Sequence, residues 1–137
     1  AGASNGDVSR LRMLHSCGVD PDEGDYDARA PLHLACVEAR LLVVSFLLGV
    51  SATVNVKDRW GSTPLDECVR GGTSYHLMCG KLMMGWGAEL GLLKNTEQGE
   101  QGLKEIEAVN MDEVSALIKR LISSGLYDRR QRTLSDQ

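Results

Sequence analysis

The sequence predicts an all-α protein, a solenoid of stacked helix-turn-helix units joined by hairpin loops and followed by a C-terminal amphipathic helix. Three observations point there. The chain matches itself at a step of 33 residues, a repeat length that belongs to stacked supersecondary units. Two of the matching segments carry a proline at the place where a helix would begin, at Pro31 and Pro64. The core must also be built without rings, because hydrophobic residues make up 42% of the chain and aromatics only 4%, a composition suited to small helices packed closely.

The chain has 137 residues, the length of one modest domain and enough to bury a core if the elements stack. A net charge of −4 argues against a nucleic-acid surface, which needs clustered Lys and Arg to neutralise phosphates. Basic residues cluster only in the tail. The cysteines at positions 17, 36, 68 and 79 form no CxxC pair and no zinc-knuckle spacing, so neither a metal site nor a disulfide framework is expected. A reducing, cytoplasmic setting is the simplest expectation. No apolar run has the roughly 18 residues needed to span a bilayer, and the start AGASNGD lacks the basic-then-apolar order of a signal peptide. Ala1 need not be a native start, so an upstream segment stays open.

The overlay lays Asp58, Ser62, Thr63, Pro64 and Leu65 over Asp25, Arg29, Ala30, Pro31 and Leu32, and in the other direction Leu47 over Leu14. At Thr63-Pro64-Leu65 the proline falls in the first helical turn, where its missing N–H is no loss, with Ser62 or Thr63 available as N-cap. After Pro31, Leu32, Leu34, Ala35 and Val37 supply the apolar face of a short helix, and Leu41, Val43, Val44, Phe46, Leu47 and Leu48 that of a second. One pair of short helices cannot cover both of its faces, so each unit must bury itself against the next.

The stretches DARAPLHLACVEARLLVVSFLLGVSATVN and DRWGSTPLDECVRGG resemble the ankyrin repeat, in which a D-x-x-G-x-T-P-L-H-x-A-A start leads to a V-V-x-x-L-L-x-x-G-A finish. The segment GDVSRLRMLHSCGVDPD resembles the later half of such a unit and would form an N-terminal cap. The resemblance implies ankyrin repeats over residues 1–91, with a cap unit at 3–24 and units at 25–57 and 58–90. Within the family, these units look most like the C-terminal ankyrin region of glutaminases, and DRWG-T-P-L segments also accompany plant Raf-like kinases. Neither likeness extends to a catalytic domain, so no glutaminase activity is inferred.

Departures from the pattern make further expectations. Ala39 stands where the family has glycine between helices, and a positive φ there would cost about 1 kcal/mol. Asp66 replaces the histidine that His33 retains, so the family's cross-unit bonding should be half present. Gly87-Ala88 comes three residues later than the step from Ser51-Ala52 requires. With Gly80 and Gly85 interrupting the same helix, an irregular or bulged second helix is expected there.

Polar, Gly-containing sequence makes residues 92–103 an expected linker. Residues 104–126 then form an amphipathic helix, with Ile106, Val109, Val114, Leu117, Ile118, Leu121 and Ile122 mostly at helical spacing and Gly125 at a C-cap. Because NMDEVSALIKRLISSGLYD echoes NGDVSRLRMLHSCGVDP, that helix either begins a second array or is a lone cap folding back on the first. Residues 127–137 are a basic tail in which Thr133 and Ser135 follow arginines, a pattern resembling a kinase site.

No nucleophile, base or metal-ligand spacing joins His15, His33 or His76 to a cysteine or acid. Cys36 and Cys68 fall where the family has small core residues, and packing is the simpler role. Five acids from Asp20 to Asp27 invite a calcium loop. The EF-hand order fails, because its Gly and Glu positions hold Asp25 and Pro31. The ankyrin likeness instead places Asp22, Glu23, Asp25 and Tyr26 on one hairpin finger and Arg59 and Trp60 on the next. There the acids would meet a basic partner or simply be solvated, Arg59 would stack on Trp60 or pair with an acid, and the rings would serve as anchors or pack on their own loops. The expectation is a non-catalytic scaffold or adaptor that binds protein partners in a larger assembly, with no cofactor, no metal, no nucleic acid and no membrane insertion. The alternatives are the regulatory ankyrin region of a longer enzyme or channel polypeptide and, more remotely, a small enzyme using His33 or Cys36.

Overall fold

The computed structural model describes Arg12, residues 28–50 and residues 53–124. Among the described residues from 31 to 124 six helices follow one another: α1 (Pro31–Val37), α2 (Leu41–Val50), α3 (Pro64–Gly71), α4 (Ser74–Gly85), α5 (Glu97–Glu107) and α6 (Met111–Ser124). No strand occurs among the described residues. Helices α1, α3 and α5 form an inner layer, and α2 and α4 an outer one, with α3 packed between α1 and α5.

The inner helices start as the sequence requires. Pro31 and Pro64 open α1 and α3, and the third residue of each helix reaches back to the capping residue: Ala30 N–H donates to His33 Nδ1 at 3.1 Å, and Thr63 N–H to Asp66 Oδ2 at 2.6 Å. That reciprocal contact satisfies an N–H the helix itself cannot pair. The turn from α1 to α2 passes through Ala39 at φ 54, the left-handed backbone expected where the family has glycine. Ala28 stands in the same condition at φ 60, one repeat step before Gly61 at φ 86.

Three sequence expectations are corrected. Residues 97–107 of the expected linker and helix form α5, because Thr96 lies one further 33-residue step beyond Ala30 and Thr63 and caps α5 by accepting from Gly99 N–H at 3.0 Å. The single amphipathic helix at 104–126 is two helices, broken by Asn110, whose side chain accepts from Asp112 N–H at 2.8 Å and so caps α6 instead of continuing α5. Helix α4 is a continuous α-helix of 12 residues, not a bulged one. Its glycine at position 80 is a close-approach site, since a Cβ there would lie 2.6 Å from Ile106 Cδ1 of α5.

The core is aliphatic and sulfur-rich. Leu32, Ala35 and Cys36 of α1 meet Leu65, Cys68 and Val69 of α3, with Cys79 and Met83 of α4 behind them. Helix α2 is apolar on every face, and all of Leu41–Val44 and Phe46–Leu48 are buried. A helix apolar all round needs cover all round. Helix α6 supplies part of it: instead of pairing closely with α5, it runs across the outer layer against both α2 and α4, burying Val114 completely.

Candidate docking surface

Each unit contributes a finger, the hairpin loop before its inner helix, and a palm, the open side of that helix. The finger before α3 is shaped by Asp58. Its carboxylate accepts from Trp60 N–H and Ser62 N–H, both at 2.9 Å, and Asp58 N–H donates to Ser62 O at 2.9 Å. Gly61 supplies the positive φ that closes the turn. With its backbone folded inward, the finger turns Arg59 and Trp60 outward, and the Arg59 guanidinium lies 5.7 Å from the Trp60 ring centroid.

Fingers are locked to the preceding unit from below. His33 is fully buried, and because its Nδ1 accepts from Ala30, its proton sits on Nε2, which donates to Ser62 O at 2.7 Å. Asp66, one step later, does the corresponding work for the next loop. Its carboxylate accepts from Gly91, Leu92 and Leu93 N–H groups at 3.0 to 3.2 Å. The expectation that this bonding would be half present is therefore corrected: a carboxylate has no proton to give a carbonyl, but it accepts from amides. Asn55 adds a loop-to-loop bridge, donating to Gly87 O at 3.1 Å and accepting from Glu89 N–H at 2.7 Å.

The palm is centred on a small ionic network. Glu67 accepts from Arg70 at 2.8 Å and from Ser62 Oγ at 3.1 Å, and Arg29 lies 3.4 Å from Glu67 and 4.0 Å from Asp58. Both acids are only 8% exposed, whereas the Arg70 side chain is 37% exposed. The negative charges thus lie beneath, and the Arg70 guanidinium is the more exposed of the two cations.

Among the exposed large apolar side chains, Trp60 is 55% exposed, Leu92 49%, Leu34 43% and Val37 41%. Leu34 and Val37, expected in the apolar face of the first helix, are on its palm instead. Leu32, Ala35 and Cys36 take the buried face at spacings of three and four residues, and a residue two positions from Leu32 is turned well away from it. Leu92 lies one repeat step beyond Arg59, so consecutive fingers carry exposed bulky groups at related positions. Sequence reasoning named Arg59 and Trp60 and missed Leu34, Val37, Arg70 and Leu92. The signal was available, since these are the variable positions of the repeat, pointing away from the core. Asp22, Glu23, Asp25 and Tyr26 lie outside the described residues.

The polar and sulfur groups proposed for chemistry are otherwise engaged. Cys36, Cys68 and Cys79 are free and buried. Its hydrogen bond with Cys68, together with burial, pushes the Cys36 thiol well above its ordinary value, and burial does the same for Cys79, so neither provides a thiolate at neutral pH. Both ring nitrogens of His33 are committed to backbone partners. Among the described residues no group of three His, Cys, Asp or Glu is arranged to hold a metal ion, and no helix is long and apolar enough to cross a membrane.

Stacked helix pairs with a locked row of fingers over a shallow palm define a helical-repeat binding module. The family model of the ankyrin repeat matches residues 27–59, and ankyrin repeats mediate protein–protein interaction. The chain is similar to the potassium channel SKOR of Arabidopsis thaliana, 47% identical over 66 residues that cover 48% of this chain and 8% of that protein. It is likewise 47% identical to the mitochondrial liver isoform of glutaminase of Rattus norvegicus over 70 residues, 50% of this chain and 12% of that protein. A third relative, serine/threonine-protein kinase 12 of Arabidopsis thaliana, is 39% identical over 67 residues, 49% of this chain and 15% of that protein. The match thus spans only 8 to 15% of the length of these relatives.

Proposed function

We propose that this chain is a docking module, a non-catalytic scaffold or adaptor that holds a protein partner against the fingers and palm of its first described units, in the cytoplasm and within a larger assembly. The observation that carries the proposal is the contrast at that surface. Asp58, Asp66 and Glu67 are buried and bonded within the fold, while Trp60, Leu34, Val37 and Leu92 stay exposed. Bulky apolar side chains held on a rigid frame are the usual anchors of an interface, and tryptophan above all. The loop that carries Trp60 loses little further freedom on binding, because its backbone is fixed by Asp58. The test is co-purification with partners identified by mass. Trp60→Ala should remove partners that the parent chain retains, at unchanged thermal stability, and retention of every partner by Trp60→Ala would overturn the proposal.

A second reading makes the same surface the regulatory ankyrin region of a longer enzyme or channel polypeptide. It is favoured by the relatives, a channel, a glutaminase and a kinase each much longer than the matched segment. Sequencing the full transcript decides between the two, because an additional catalytic or channel domain in one reading frame establishes the second.

A further inference from the structure

An arginine three residues before a hydroxyl is the pattern a basic-directed protein kinase takes, because the enzyme holds the guanidinium on its own carboxylates while the hydroxyl meets ATP. Among the described residues this spacing occurs at Arg59 and Ser62, at Arg70 and Thr73, and at Arg120 and Ser123. The fold closes the first two. Ser62 is fully buried, and its hydroxyl donates to Glu67 at 3.1 Å. Thr73 caps α4, its Oγ accepting from His76 N–H at 3.2 Å and lying 2.6 Å from His76 Nδ1, and the arginine before it is engaged by Glu67 at 2.8 Å.

Ser123 differs on each count. It is exposed, as are Lys119, Arg120 and Ile122 before it, and no hydrogen bond or ion pair among the described residues engages its hydroxyl, Lys119 or Arg120. Residues three and four apart are neighbours on a helix surface, so both cations stand beside the hydroxyl on the solvent side of α6. The adjacent Ser124 has neither feature: Leu121 lies three residues before it, and its hydroxyl donates to Leu121 O at 2.9 Å. The position along the helix matters as well, because a kinase takes its substrate segment extended. Val114, the buried anchor of α6, lies near the helix start, and beyond the half-buried Leu121 every residue to 124 is exposed. The last turn therefore frays at small cost while α6 stays docked.

We propose that Ser123 is a phosphorylation site for a basic-directed serine/threonine kinase, a site on α6 that has no part in the docking reading. In the transfer the bond from Ser123 Oγ to the γ-phosphorus of ATP forms as the bond from that phosphorus to the β,γ-bridging oxygen breaks. ADP leaves, and the hydroxyl proton passes to the kinase's aspartate. The phosphate brings about two negative charges to the positive charges of Lys119 and Arg120, so the end of α6 changes from basic to near neutral. The helix macrodipole opposes that phosphate, and pairing with the two cations one turn back offsets it, so α6 remains the cover of α2.

The test treats the folded full chain with magnesium ATP and the catalytic subunit of cyclic-AMP-dependent protein kinase, a basic-directed enzyme, and follows each phosphorylated position over time by tandem mass spectrometry. Phosphate is expected on Ser123 and not on Ser62 or Thr73. Arg120→Ala, an exposed change that leaves the melting temperature as it was, should slow modification of Ser123 about tenfold or more, the loss of one charge-assisted hydrogen bond, and Arg120→Lys should restore part of the rate. Thr133 and Ser135 follow Arg130 and Arg132 by the same three residues, and phosphate confined to them would overturn the assignment. So would modification of Ser123 only in chain unfolded by urea, labelling of Ser62 or Thr73 equal to that of Ser123, or a Ser123 rate indifferent to Arg120.

Discussion

The unit formed by α3 and α4 and the pair formed by α5 and α6 start from the same frame and end differently. Positions 30, 63 and 96 each precede an inner helix, so the 33-residue step sets where α5 lies as firmly as it sets α3. Side-chain chemistry then separates them. The buried pair Leu65 and Cys68 of α3 becomes Gln98 and Gln101 one step later, both exposed, and the side chain of Asp66 that gathers three amides of the next loop becomes Gly99, whose Cβ position is filled by Leu93 O. A forward face of glutamines with no locking side chain does not call for another unit. Helix α6 accordingly leaves the outer-helix course and lies across α2 and α4. Backbone spacing decides where an inner helix goes, and polarity decides whether the stack continues beyond it.

This comparison can be broken most forcefully at α6. Val114→Asp places an unpaired carboxylate in a fully buried position against the outer layer, and we expect a loss of about 4 kcal/mol in urea unfolding, with self-association through the uncovered α2. A stable, monomeric Val114→Asp chain would show that α6 is not the cover of α2. Next comes the lock. Asp66→Ala leaves the amides of Gly91, Leu92 and Leu93 and that of Thr63 without their acceptor, for an expected loss of about 3 kcal/mol. Hydrogen exchange should localise that loss to residues 89–95, and protection there equal to the parent's would refute the role given to Asp66.

A smaller and sharper comparison exchanges the forward faces. Leu65→Gln should cost about 3 kcal/mol, whereas Gln98→Leu, at the equivalent exposed position, should change stability by no more than about 0.5 kcal/mol. Equal effects at the two sites would mean that α5 is covered as α3 is. The smallest effect concerns strain: Ala39→Gly relieves a left-handed alanine and should raise stability by about 0.5 kcal/mol, less than the full penalty because glycine also gives the unfolded chain more freedom. A lower melting temperature for this variant would count against that account.

Some of this was legible residue by residue. Pro31 and Pro64 fixed the helix starts, Ala39 announced its own strained turn, and Cys36 and Cys68 were recognisable as core by their place in the repeat. The linker reading of residues 92–103 failed because glycine and glutamine were taken as loop composition. At positions 99 and 102 glycine is instead demanded by packing, where a Cβ would run into Leu93 O and Val69. The palm was partly missed for a related reason: on a helix of seven residues, Leu34 and Val37 look as apolar as the core, and only the facing of the helix tells which leucine is covered.

By itself, then, the sequence determined the repeat and its register, because spacing and helix-start chemistry act within a few residues of the chain. Only the tertiary structure decided that Asp66 substitutes for a histidine, that α6 crosses the outer layer and that Leu34 and Val37 are left exposed while Leu32 and Cys36 are covered. Those facts depend on which groups meet across the fold, and side chains 25 or more residues apart are brought together by packing that no local pattern encodes.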